Sequence, residues 1–118
     1  MSYKAVARLA IVNEDPEVEG VLGHGVVMLL EGVEREHSLN RAAKSLGMAY
    51  SKAWRKVKEA EALLGCDLLD RDGARGSTLT PEGARAVAVY NGLQKAINET
   101  IAREMPRLVE ELDAPGKD

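Results

Sequence analysis

At 118 residues, with 45% hydrophobic and 30% charged side chains, the chain has the length of one domain and can build a modest core without a metal or disulfide staple. Its single cysteine, Cys66, excludes a disulfide framework, and its two histidines, His24 and His37, lie too far apart in sequence to suggest a local metal pair. The formal charge of −3 argues against a nucleic-acid partner only until it is divided: residues 1–34 carry −4, residues 35–76 carry +3 and residues 77–118 carry −2, and local potential decides where DNA docks.

From the N-terminus, Tyr3–Asn13 is rich in Ala, Val, Ile and Leu with an imperfect alternation, which predicts a strand. Glu14-Asp15-Pro16 ends it, and the acidic stretch to Gly23 is a loop or a short hairpin return. A helix follows from about Gly25 to Glu36, burying Val26 or Val27 with Leu29, Leu30 and Val33. Ser38 then offers a side-chain oxygen to cap the next helix, whose inner face is Leu39, Ala42, Ala43 and Leu46. Its two alanines leave room for a second helix to cross closely. Gly47 reverses the chain and Met48 fills the corner, the turn of a helix-turn-helix.

The next helix, roughly Ala49–Leu64, is expected to bury Tyr50, Ala53, Trp54, Val57, Ala60 and Leu64 and to expose Ser51, Lys52, Arg55, Lys56, Lys58 and Glu59. Aromatic residues are scarce and Phe is absent, so Trp54 is expected at the centre of an aliphatic core. Between Asn40 and Lys58 stand six cations (Arg41, Lys44, Lys52, Arg55, Lys56 and Lys58) and no carboxylate. Such a run is either a solvated face or a surface laid against phosphates, and the Ala-Ala-x-x-Leu-Gly turn beside it favours the second.

These residues, Ser38, Ala42-Ala43, Leu46-Gly47-Met48, Tyr50 and Ala53-Trp54, resemble the pattern S-x-x-x-A-A-x-x-L-G-M-S-Y-x-x-A-W of the winged helix-turn-helix in ModE-type molybdate-responsive regulators. The LysR-type regulators share the architecture with a looser motif. One position departs: Ala49 stands where the pattern has a capping serine, which costs the helix about 1 kcal/mol unless Ser51 substitutes. The resemblance also covers Gly23-His24-Gly25 before the first helix and Leu79-Thr80-Pro81-Glu82-Gly83 after the wing. It implies a regulator's DNA-binding half, residues 3–112, without the molybdate-binding domains that follow this helix in the family. Sensing would then fall to a separate effector-sensing protein, or control to abundance, or the chain would be a natural stand-alone version.

After Gly65, Asp67–Arg71 and Ser77–Thr80 read as two strands around a tip at Asp72–Gly76, a β-hairpin wing. Arg71 and Arg75 are placed to meet the DNA backbone or minor groove, although an exposed hairpin of any kind can look the same. Thr80-Pro81-Glu82 is a strong helix start. That helix is expected to run to about Glu104, kink at Pro106 and continue to Leu112, with an apolar stripe whose dimer-forming members are Tyr90, Leu93, Ile97, Ile101 and Leu108.

The expected fold is therefore mainly α with small β: a winged helix-turn-helix over residues 1–80 with an N-terminal strand, a C-terminal dimerisation helix over 81–112 and a disordered tail over 113–118. The expected activity is transcriptional regulation by a homodimer on double-stranded DNA, with a link to molybdenum metabolism implied by the resemblance. Ser51, Lys52, Arg55 and Lys56 would face bases or nearby phosphates, with Arg55 the first choice for sequence readout; Arg41, Lys44, Arg71 and Arg75 would hold the backbone. The alternative is a winged-helix protein-interaction module that does not bind DNA. No catalytic constellation, metal cluster or phosphate-cradling glycine loop is legible, so neither an enzyme nor a cofactor is expected. With no membrane span and no signal-peptide pattern at MSYKAVARL, the expected location is cytoplasmic.

Overall fold

The structure, a computed structural model, describes residues 3–71 and 76–113. Four helices and one small sheet follow in the order α1 (His24–Glu36), α2 (Leu39–Ser45), α3 (Tyr50–Leu64), β1 (Leu69–Arg71), β2 (Ser77–Leu79) and α4 (Pro81–Asp113). The two strands are antiparallel, pairing Leu69 with Leu79, Asp70 with Thr78 and Arg71 with Ser77. The wing-tip residues 72–75, including Arg75, lie outside the described residues, as do residues 114–118 of the expected tail.

The core is aliphatic, as the composition requires. Leu29, Leu30 and Val33 of α1 are fully buried against Ala42 and Ala43 of α2 and against Ala53, Val57 and Ala60 of α3. Small residues set these helix separations: a Cβ added to Gly32 would stand 2.7 Å from the Ala42 Cβ, closer than two carbons pack. The aromatic residue in the core is Tyr90 of α4, not Trp54. Tyr90 is 2% exposed, and its hydroxyl donates to the Leu9 carbonyl at 2.8 Å.

That bond bears on the expected N-terminal strand, which does not form. Among the described residues, the Tyr3–Asn13 segment makes only an isolated bridge, with Ile11 N–H donating to Leu22 O at 3.0 Å and Leu22 N–H to Ile11 O at 2.9 Å. Side chains of α4 tie it down further: Leu9 N–H donates to Gln94 Oε1 at 2.9 Å and Gln94 Nε2 donates to the Ala7 carbonyl at 2.6 Å. Backbone groups bonded to side chains of α4 are withdrawn from any ladder. The loop after it is closed by its own polar side chains, Asn13 Oδ1 accepting from Asp15 N–H and Asp15 Oδ1 from Glu17 N–H.

The start of α4 follows its sequence signals. Thr80 Oγ1 accepts from Gly83 N–H at 2.9 Å and donates to the Asp67 carbonyl at 2.6 Å, so one buried hydroxyl caps the helix and ties it to the segment entering the wing. The helix then runs 33 residues without interruption, about 50 Å at 1.5 Å per residue. It passes through Pro106, whose missing N–H leaves the Ala102 carbonyl without its usual donor.

Candidate nucleic-acid interface

The α2–α3 unit is assembled from three local devices. Ser38 Oγ accepts from Arg41 N–H at 3.1 Å and caps α2. Gly47 holds φ +67 with nothing within 4 Å of an added Cβ, so its glycine serves backbone conformation rather than space. Met48 N–H returns to the Ala43 carbonyl at 2.9 Å, closing the turn that aims α3. Ala49 supplies no side-chain cap to α3 and Ser51 does not replace it.

On α3 the buried residues are Ala53, Val57 and Ala60. At about 100° per residue these three occupy a narrow arc, and the opposite side carries Ser51, Arg55 and Ala62. Arg55, Ser51 and Lys52 are exposed, as are Arg41 and Lys44 on α2. Lys56 is turned away from them: it is half-buried, with its Cδ, Cε and Nζ beside Gly25 at the start of α1. Its ammonium therefore reaches the flank of the surface rather than its centre.

Three residues expected inside α3's core face lie elsewhere. Tyr50 and Leu64 are exposed and Trp54 is half-buried. Leu64 is the last residue of α3, and Trp54, about 90° from the middle of the buried arc, packs only against the edge of the core and meets the wing. There Arg71 Cζ lies 3.5 Å and Lys58 Nζ 4.5 Å from the indole centroid, and an Arg71 Nη donates to the Tyr50 hydroxyl at 3.2 Å. The wing is tied to α3 from below as well, since Glu61 Oε2 accepts from the Leu68 and Leu69 N–H groups at 2.8 and 3.4 Å. Its other end is fixed to α1: Ser77 N–H donates to the His37 carbonyl at 2.9 Å, and Gly76, at φ +92, passes so near that a Cβ would overlap that oxygen.

Between α2, the start of α3 and the wing lies an open cleft of about 500 Å³ lined by Ser38, Leu39, Asn40, Tyr50, Arg71, Gly76 and Ser77. Among its lining residues Arg71 is the one that carries a charge. Outside the cleft, Arg41 and Lys44 stand on α2 and Ser51, Lys52 and Arg55 on α3, with Lys56 at the edge. The sequence reading did not single out Tyr50 or Trp54 as part of this surface; an aromatic residue at helical spacing reads as core, and only the wing's position shows otherwise.

Two crossed helices joined by a glycine turn, supported by α1 and flanked by a two-stranded wing, define a winged helix-turn-helix. Residues 27–84 match the family model described as bacterial regulatory helix-turn-helix protein, lysR family. The chain is 36% identical over 106 residues to the molybdenum transport protein ModE of Azotobacter vinelandii, an alignment covering 86% of this chain and 39% of that protein. The chain therefore spans well under half the length of this relative. Among solved structures it is similar to the CbnR DBD–DNA complex (TM-score 0.60, 23% identity, 70% of this chain and 94% of that one). It is also similar to the BenM DBD/catB site 1 DNA complex (TM-score 0.55, 25% identity, 71% of this chain and 90% of that one).

Proposed function

We propose that the protein is a DNA-binding transcriptional regulator that grips duplex DNA as a homodimer, with α3 in the major groove and the wing on the adjacent backbone. The observation that carries this reading is the run of six cations from Arg41 to Lys58, uninterrupted by a carboxylate, of which all but Lys56 are exposed on α2 and α3 beside Arg71. The relative's name, molybdenum transport protein, supports a role in molybdenum metabolism, and the DNA in the two structural neighbours supports a duplex partner. In this role the chain needs no catalytic centre, and its place of work is the cytoplasm, where bacterial chromosomal DNA resides.

The test is binding to random-sequence and genomic duplex over a sodium chloride series. Each neutralised phosphate contributes about 0.9 to the slope of log affinity against log salt, so a slope of several units is expected. A slope near zero would instead favour a protein-interaction module. Mapping of bound sites across the genome then supplies the operator, expected to be an imperfect palindrome because a two-fold dimer presents α3 twice, about 34 Å apart.

A further inference from the structure

Trp54 is half-buried, packed against the edge of the core, and two cations converge on it: Arg71 Cζ at 3.5 Å and Lys58 Nζ at 4.5 Å from the ring centroid. Arg71 comes from the wing, while Lys58, Trp54 and Tyr50 come from α3. We propose that Trp54 is a positioning residue that, by stacking on Arg71, fixes the wing's guanidinium at the cleft between α2, α3 and the wing, where it seats a backbone phosphate of duplex DNA. This inference rests on the DNA-binding reading above.

The stack leaves the working edge of the guanidinium open. An arginine lying on an aromatic face contacts it through its π surface, while its five N–H donors radiate in the plane and stay available to acceptors. The Tyr50 hydroxyl, 3.2 Å from one Nη, takes one of these donors and fixes the rotation of the fork within its plane. Ring and hydroxyl together hold a side chain that would otherwise sample many rotamers. The cleft beside it suits an anion: Ser38, Asn40, Tyr50 and Ser77 bring neutral polar groups, Arg71 brings the charge, and no carboxylate is among its described lining residues. A planar fork held at such a site matches the two oxygens of a phosphodiester.

Ordering one rotamer-rich side chain in advance is worth about threefold to tenfold in affinity. Trp54→Leu should therefore weaken binding to a labelled random-sequence duplex of about 30 base pairs, long enough for two half-sites one turn apart, by about that factor. Trp54→Phe, which keeps an aromatic face, should restore most of it. Arg71→Lys keeps the charge but not the planar stack, so it should lose a similar factor while the salt slope stays as in the wild type. Arg71→Ala should lose more and lower the slope by about one for each phosphate contact removed. The double variant Trp54→Leu/Arg71→Ala should bind no more weakly than Arg71→Ala alone, because the indole acts only through the guanidinium. Acrylamide quenching of the single tryptophan should rise in Arg71→Ala, a readout that needs neither DNA nor the Leu variant. Wild-type binding combined with additive losses in the double variant, or undiminished binding by Arg71→Lys, overturns this inference alone. A wild-type protein without salt-dependent binding overturns it together with the DNA-binding reading.

Discussion

Arg55 projects from the exposed arc of α3 beside Ser51, where a bidentate fork can meet the O6 and N7 acceptors of a guanine in the major groove. Arg71 is anchored at the wing by Trp54 and Tyr50, in a position suited to backbone. Arg55→Ala is accordingly expected to cost about 1–3 kcal/mol on the cognate operator and to relax preference at one base pair, whereas Arg71→Ala should weaken cognate and random duplex alike. Parallel titrations on the two duplexes decide it: equal losses from Arg55→Ala would remove it from sequence readout. Tyr90 makes a different kind of residue-scale prediction. Its hydroxyl is the donor to the Leu9 carbonyl, so Tyr90→Phe should cost about 0.5–1.5 kcal/mol. Urea unfolding should show the loss, with faster proteolytic cleavage of the segment before residue 14.

Among the elements, α1 and α2 are held together by the absence of a side chain. Gly32→Ala would bring a methyl to 2.7 Å from the Ala42 Cβ, and overpacking of this kind costs about 1–3 kcal/mol. The urea midpoint should fall with an unchanged slope; a midpoint equal to wild type would mean that α2 shifts without penalty. Because α2 is short and carries Arg41 and Lys44, the same change should also weaken DNA binding. The start of α2 depends on a single cap, and Ser38→Ala should cost about 1 kcal/mol. Pro81, Thr80 and Glu82 announced α4 because a helix start is written in consecutive residues. The N-terminal strand was misread because its backbone partners, Tyr90 and Gln94, lie more than eighty positions away in sequence.

At the scale of the molecule, α4 carries the chain to a longest dimension of 67 Å. Gln94 makes its bonds to the N-terminal segment, and beyond it the helix leaves the body. Tyr90, expected at the dimer contact, is taken by the protomer's own core. Leu93, Leu108 and Leu112 remain 47%, 51% and 59% exposed, and Ile97 and Ile101 are half-buried. Burying a large aliphatic side chain is worth roughly 1.5–3 kcal/mol, so a second copy on this face is the natural cover. Leu93→Glu combined with Ile97→Glu would place four carboxylates in a two-fold contact. Sedimentation is expected to show folded monomers, and a gel-shift titration much weaker binding, because each half-site must then be held alone. A double variant that stays dimeric would place the contact on another surface.

The sequence by itself determined what depends on neighbours along the chain: the α2–turn–α3 unit through Ser38, Ala42-Ala43 and Gly47, the start of α4 through Thr80-Pro81, and the cation run from Arg41 to Lys58. Helical periodicity also named the inner face of α3, but only as a direction. How wide the buried arc is depends on which element packs there, and that was decided by the tertiary structure. α1 and α2 cover Ala53, Val57 and Ala60, and the wing arrives at the flank. Trp54 therefore sits at the edge of the core as a platform for two cations, Tyr90 took the place at its centre, and Lys56 turned toward α1. Each outcome depends on contacts between residues distant in sequence, which no local pattern encodes.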